Sequence, residues 1–113
     1  MECIMDNSGD FIVIYTTFPD QKTAKTIITG LVRMKLAACG NIFRQHSIYR
    51  WKGKIEHDPE YGAFIKTKKP LYLEVETYIK KKHPYDVPEI VSWTIEKGSW
   101  QYLEWIDETT ARR

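Results

Sequence analysis

Apolar residues alternate between strand-like and helix-like spacing along the first part of the chain. Residues 11–16 (FIVIYT) are apolar at nearly every position, as expected of a central strand covered on both faces. Pro19 and Asp20 end this run. The following segment predicts an amphipathic helix because its apolar side chains recur at intervals of three and four, at Ala24, Ile27, Ile28, Leu31 and Val32.

Two longer strand-like segments follow, residues 39–51 and 54–67, separated by Lys52-Gly53. A two-residue connection that contains glycine is typical of a tight β-hairpin turn. We expect an interruption of the return strand at Asp58-Pro59, because proline has no N–H to donate to a strand ladder and often marks a bulge or a sheet edge. The pattern therefore predicts a long hairpin with one irregular position.

Both faces of this predicted hairpin carry large apolar side chains. Pairing across the turn places Ile48 and Ile55 on one face and Tyr49 and Trp51 on the other. A hairpin that lay in solvent would instead show one polar face. The ribbon therefore needs a partner, and the sequence predicts that another subunit supplies it.

The remaining elements complete a recognisable order. Pro70 suits the first turn of a second helix, which ends near His83 because the residue before a proline is disfavoured in a helix. Residues 89–96 form a fourth strand, and Ser99 caps a final helix. The order βαββαβ with an additional C-terminal helix predicts an α+β, ferredoxin-like fold with an antiparallel sheet.

Composition bounds the domain organisation and the class of partner. The 113 residues are enough for one domain, expected over residues 11–113 after a flexible segment 1–10. The net charge of +2 gives no support for a nucleic-acid partner, and no apolar run is long enough to span a membrane. We expect a cytoplasmic protein, because the first ten residues lack the apolar core of a secretion signal.

Several short segments together resemble the CutA family, which is named for divalent-cation tolerance. In order and spacing they extend from Phe11 to Ile106. They are Ala37-Ala38-Cys39 with Asn41, Ser47-x-Tyr49-x-Trp51-x-Gly53-x-Ile55, Lys66-Thr67, His83-Pro84-Tyr85 with Pro88-Glu89, and Tyr102 with Trp105.

The resemblance implies a non-enzymatic homotrimer in which hairpins clasp neighbouring subunits, with a role in metal tolerance or response. It also implies copper or another divalent metal as a ligand, without a required cofactor. Copper ligands proposed in a bacterial member fall by position on Thr16, Lys82 and His83. His83 alone is a good copper ligand, so the resemblance implies a weak metal site here.

A polar pocket between subunits is the second candidate site. Tyr85 and Glu89 enter the fourth strand, and assembly of this fold can bring Glu60 and Lys66 of the third strand to the same region. With Cys39 and Trp51 these residues form the predicted ligand-binding set. Cys39 follows a helix C-terminus, which disfavours its thiolate, so a structural role is favoured over a nucleophilic one.

Two other groups contain metal-binding side chains. His46 and His57 occupy diagonal positions on one face of the hairpin, where surface histidines without a ligand are the simpler interpretation. Met1, Cys3 and Met5 place three soft donors near the terminus, a candidate copper(I) site if the segment is ordered.

Three alternative functions remain at this point. A small-molecule sensor similar to PII signalling proteins would use the intersubunit pocket. An RNA-binding domain of RRM type shares the element order, but residues 60–67 lack most of the aromatic residues that stack bases. A small hydrolase would need a nucleophile with a histidine base, and Thr16, Cys39 and Ser47 have no evident partner in sequence.

Overall fold

The computed structural model describes residues 10–112 and confirms the predicted α+β fold. A 3-10 turn, Lys69–Leu71, precedes the second helix. The strands and helices are β1 Phe11–Phe18, α1 Gln21–Arg33, β2 Cys39–Trp51, β3 Lys54–Lys68, α2 Tyr72–Lys82, β4 Ile90–Thr94 and α3 Trp100–Thr109.

All strand pairs are antiparallel, in the order β2-β3-β1-β4. Alternate side chains of the sheet pack under α1 and α2 and form the main core, with Ile14 and Ile65 directly paired and fully buried. We call the other side of the sheet the open face. It includes Tyr15, which pairs with Phe64 of β3.

Capping residues fix the N-terminal ends of α1 and α3, and the cap that the sequence predicts at Ser99 is confirmed. Asp20 accepts a hydrogen bond of 2.7 Å from the Thr23 N–H, which lowers the pKa of the Asp20 carboxyl. Ser99 accepts a bond of 3.2 Å from the Tyr102 N–H. Val32 lies at the margin of the buried stripe of α1 and is 37% exposed, unlike the four other apolar residues predicted for it.

The break predicted at Asp58-Pro59 is wrong, whereas the sheet edge that the proline also indicates is confirmed. β3 runs without a break from Lys54 to Lys68, and its register with β2 stays constant throughout. β1 pairs with β3 only as far as Tyr61, so the segment that contains Pro59 is a sheet edge on one side. An edge position tolerates the missing proline N–H.

The hairpin of β2 and β3 has the predicted register. Trp51 pairs with Lys54 and Ile48 with His57, while Lys52 and Gly53 both have positive φ, at 50° and 78°. A two-residue turn with positive φ at both positions matches the right-handed twist of the two strands that it joins. The ribbon contributes to the elongated molecular dimensions of 55 × 25 × 21 Å.

α3 packs against the open face at the end of the sheet where β3 terminates. A second apolar cluster joins Phe11 and Ala38 to Leu103 and Ile106 of this helix. The Lys68 ammonium lies 3.1 Å from an Asp107 carboxylate oxygen at the same contact. The predicted flexible segment, except Asp10, and its Met1, Cys3 and Met5 group lie outside the described residues.

Candidate functional site

An aromatic cluster occupies the middle of the open face. The ring of Phe64 lies 5.7 Å from Tyr15, 5.0 Å from Phe43 and 6.1 Å from Trp93, measured between centroids. Phe64 is 37% exposed and Trp93 is 47% exposed, although both rings are largely apolar. The four rings come from four strands, so sequence analysis of single strands missed this surface.

The outer part of the hairpin has two uncovered apolar faces, as the sequence predicts. Ile48 and Ile55 are 64% and 60% exposed on the face that continues the helix-covered side of the sheet. Tyr49 and Trp51 are exposed on the other face, where the Lys52 ammonium lies 5.8 Å from the Trp51 ring centroid. Neither α1 nor α2 extends far enough to cover this part of the ribbon.

Two tyrosine–carboxylate pairs join acidic residues of β3 between the aromatic cluster and the hairpin tip. Tyr85 donates a hydrogen bond of 3.0 Å to Glu60, and Tyr49 donates one to Asp58. Burial, followed by the Glu60 hydrogen bond, raises the pKa of Tyr85 to about 12. The hydrogen bond to Asp58 raises the pKa of Tyr49 to about 12. These pairs make a negatively charged, hydrogen-bonding patch with neutral phenols at pH 7.

A third polar group forms near the start of β2. The Cys39 sulfur lies 3.5 Å from the Tyr102 hydroxyl, and Cys39 pairs directly with Lys66 across the strands. The Lys66 ammonium donates a hydrogen bond to the Asn41 side-chain carbonyl. Burial, followed by the Cys39 contact, raises the pKa of Tyr102 to about 12. The group offers one cation beside a thiol and a phenol.

Within one subunit the predicted pocket residues lie at separate positions on or beside the sheet. Glu60 contacts Tyr85, whereas Lys66 lies six residues further along β3, about 20 Å away at strand spacing, with Cys39 of β2 opposite it. Trp51 is at the hairpin tip, and the exposed Glu89 immediately precedes β4. A single pocket lined by all six residues needs a neighbouring subunit, and that arrangement stays a prediction.

A shallow groove of about 640 Å³ lies at the outer edge of the sheet and contains no predicted site residue. Its walls are the 3-10 turn with the start of α2 on one side and β4 on the other, with Pro70, Tyr72, Leu73, Trp93 and Thr94 among its lining residues. β4 has one neighbour, β1, among the described strands. An exposed strand edge beside an apolar groove is an attachment point for another chain.

His83 uses both ring nitrogens to hold the structure together. Nδ1 accepts a hydrogen bond of 3.1 Å from the Tyr85 N–H, so Nε2 carries the proton and donates a bond of 2.7 Å to the Thr17 carbonyl. The ring is 8% exposed and stacks on Phe18 at 5.3 Å. A metal ion at His83 would have to replace one of these bonds.

The residues at the copper positions do not fit the metal that the resemblance implies. His83 has no free nitrogen, Thr16 is fully buried with a hydroxyl that has no partner among the described residues, and Lys82 is exposed near the Tyr78 ring. Within residues 10–112, no group of three or more histidine, cysteine, aspartate or glutamate side chains could hold a metal. Thr16, Lys82 and His83 together therefore do not form a suitable ligand set for copper.

The surroundings of the candidate nucleophiles do not favour a hydrolase. The Ser47 hydroxyl accepts a bond of 3.3 Å from the Gln45 amide, and Cys39 contacts Tyr102. In the part of the chain that the structure describes, neither side chain is hydrogen-bonded to a histidine. Activation by a general base therefore has no geometric support.

The four aromatic rings could suggest stacking of RNA bases on the open face. Glu56, Asp58 and Glu60 nevertheless form a row on this same face, because they alternate along β3. A row of carboxylates beside the aromatic surface repels a phosphate backbone. The surface is better matched to a protein than to a nucleic acid.

The fold and the open apolar surfaces define a class of α+β proteins built from a four-stranded antiparallel sheet. The sequence model of the CutA1 divalent ion tolerance protein family matches residues 12–109. The chain belongs to this family. No helix within residues 10–112 is long and apolar enough to cross a membrane.

Individual relatives agree with this assignment. The divalent-cation tolerance protein CutA of Pyrococcus horikoshii is 41% identical over 101 residues, which is 89% of this chain and 99% of that protein. The crystal structure of CutA1 from Oryza sativa has a TM-score of 0.90 at 35% identity and covers 95% and 99% of the two chains. A relative from Arabidopsis thaliana named as chloroplastic is 39% identical over 88% of this chain and 55% of that protein.

Proposed function

We propose that the chain acts as a non-enzymatic homotrimer that contributes to divalent-cation tolerance by binding a ligand between subunits. The observation that carries this proposal is the uncovered apolar surface on both the hairpin and the open face. A stable monomer of this size rarely leaves adjacent aromatic rings such as Phe64 and Trp93 exposed. The relatives named for divalent-cation tolerance support the physiological part of the proposal.

The open face and the hairpin support association of identical subunits. Hairpin side chains on both faces need cover, and the edge strand β4 offers unpaired backbone groups beside an apolar groove. A closed ring of three copies would cover both kinds of surface at every interface, because each subunit supplies one hairpin and one edge.

A matched pair of substitutions tests this assembly. Phe64→Glu and Val32→Glu each place a carboxylate at a site that is 37% exposed, one on the open face and one on α1. We expect Phe64→Glu to dissociate the oligomer in native mass spectrometry and Val32→Glu to leave it intact. An intact Phe64→Glu trimer would contradict the use of the open face as the interface.

The same assembly supports a small-molecule site. The proposed cleft combines the Glu60–Tyr85 pair of one subunit with the Cys39–Lys66 group of its neighbour, a cation facing an acid. Such a cleft would hold a small zwitterion or anion, which is the role of a PII-like sensor. Glu60→Cys with Cys3→Ser tests the juxtaposition, since a disulfide to Cys39 requires Cα atoms about 4.4–6.8 Å apart.

A control variant distinguishes the expected disulfide from other cysteine pairings. In a closed trimer the disulfide should appear as covalently linked dimers and trimers under mild oxidation, and it should be absent when Cys39→Ser is added to the same variant. A monomer in the variant that keeps Cys39 would contradict the cleft.

The geometry does not support copper binding at His83, because both of its ring nitrogens are hydrogen-bonded.

The cytoplasmic location stays a prediction, since a relative is named as chloroplastic.

A further inference from the structure

The three histidines of the chain differ in whether their ring nitrogens are available. His83 is buried and both of its nitrogens are hydrogen-bonded. His46 and His57 are exposed, and neither ring has a hydrogen-bond or ionic partner among residues 10–112. Ligands for a metal ion must offer a free lone pair, so the hairpin pair meets a requirement that His83 does not.

The separation of the two hairpin imidazoles suits a shared metal ion. Their ring centroids lie 6.0 Å apart with an angle of 50° between the planes. With a metal–nitrogen bond of about 2.0–2.1 Å, two imidazoles on one tetrahedral ion have centroids about 5 Å apart. A rotamer adjustment of about 1 Å therefore brings both rings onto one ion.

The regular pairing of the hairpin strands fixes this approach. His57 pairs with Ile48, and His46 pairs with Pro59, so the two rings are diagonal neighbours on adjacent strands. The register is constant from the turn to this point. Two ligands on paired strands are held closer than two ligands on a loop, which reduces the ordering cost of binding.

The surroundings select the kind of ion. Arg44 and Arg50 are on the same face, whereas Glu56 and Asp58 point to the opposite face, so no carboxylate of the described hairpin shares the site. Mg²⁺ and Ca²⁺ require oxygen ligands and have none here. Imidazole suits the later first-row ions, such as Ni²⁺, Cu²⁺ and Zn²⁺, whereas the nearby guanidinium groups oppose every cation alike.

We propose that His46 and His57 together bind one late first-row divalent transition-metal ion on the hairpin, with water or a neighbouring chain completing its coordination. The site is separate from the positions at which the family resemblance implies copper. Bound metal would join β2 to β3 where β3 has lost β1 as a neighbour, and would therefore brace the ribbon. A metal ion that binds the folded state and not the unfolded state raises the unfolding temperature.

Calorimetric titration of the full chain with zinc, and with magnesium as the control ion, tests the proposal. We expect one zinc site per subunit that His46→Gln and His57→Gln each weaken at least about tenfold, since even indirect supports of a metal are worth about 10–100-fold. Arg44→Gln is the matched control, because it alters the same face without removing an imidazole. It should bind zinc at least as tightly as the wild type does.

NMR of the imidazole rings supplies a second readout. Signals of His46 and His57 should shift together and be complete at one equivalent of zinc, while His83 signals stay in place. Zinc binding that survives either histidine substitution, or that responds to one histidine and not the other, would overturn the proposal. The cysteines are unchanged in every sample, so a thiol site would contribute equally to all of them.

The oligomeric mass of the same samples separates this inference from the proposed function. A trimeric wild type whose zinc affinity is unaffected by both histidine substitutions would overturn the hairpin site and leave the proposed assembly standing. If the wild type is monomeric and binds zinc, and both histidine variants lose that binding, the result would support the hairpin site and contradict the proposed assembly.

Discussion

The helix-covered part of the sheet and the outer hairpin differ in how far their apolar side chains are buried within one subunit. Between the sheet and the helices α1 and α2, residues such as Ile14, Ile65 and Ile79 are fully buried within one subunit. In the hairpin, Ile48 and Trp51 are 64% and 60% exposed, although their strands are equally regular. Secondary structure is therefore complete in the hairpin of one subunit although its apolar side chains are uncovered, and the proposed assembly would bury them.

The largest effect is expected in the helix-covered core. Ile14→Ala should cost about 2–5 kcal/mol of unfolding free energy, since it removes buried methylenes and leaves a cavity. Ile48→Ala removes the same atoms from an exposed site and should leave the subunit fold intact while weakening association. Urea denaturation at high and low protein concentration measures both quantities. A similar loss of subunit stability in the two variants would remove the contrast between the regions.

The hairpin tip should carry much of the association energy. Trp51→Ala is expected to cost over about 2 kcal/mol of association, as buried interface tryptophans do, with the subunit fold retained. Trp100→Ala is the control, because Trp100 is also 60% exposed but belongs to α3. The urea midpoint of Trp51→Ala should depend on protein concentration more strongly than that of the wild type. If neither midpoint depends on concentration, the interface role is wrong.

His83 lies in the buried, helix-covered region of the subunit. His83→Gln should lower stability by about 1–3 kcal/mol, because the Thr17 carbonyl and the Tyr85 N–H lose a buried partner. Copper(II) affinity should be the same in wild type and variant when measured by calorimetry. A loss of copper binding with unchanged stability would show that His83 is a ligand and that its hydrogen bonds are replaceable.

The smallest effect concerns the Tyr85–Glu60 pair at the boundary of the two regions. The pKa of Tyr85 is raised to about 12 from an ordinary value of 10.0, so its contribution to stability is present below pH 10. That contribution is lost as the pH rises through the folded-state pKa. Stability should therefore fall less steeply above pH 10 in Tyr85→Phe, and equal slopes for the two proteins would exclude a pKa difference on unfolding.

Local patterns were sufficient for the elements and the hairpin register. The Lys52-Gly53 turn and the alternation of Ile48 with Tyr49 fix which strand residues pair, because both signals act over a few residues. The predicted break at Asp58-Pro59 failed because edge status depends on where β1 ends, at Phe18 opposite Tyr61. That boundary is a property of the whole sheet.

The candidate site was less predictable because its contacts join distant parts of the chain. His83 bonds to Thr17, 66 residues away, and this contact decides that the ring is structural. The aromatic cluster of Tyr15, Phe43, Phe64 and Trp93 takes one ring from each strand, so it requires the sheet order. The pocket set of Glu60 and Lys66 depends further on an arrangement of subunits.

Static light scattering of the wild type over a range of micromolar concentrations is the most direct test of the assembly account. The proposed trimer should give a constant mass three times that of the 13.4 kDa chain, because other copies would cover the hairpin and the open face. A folded protein with the mass of a single chain throughout this range would contradict it.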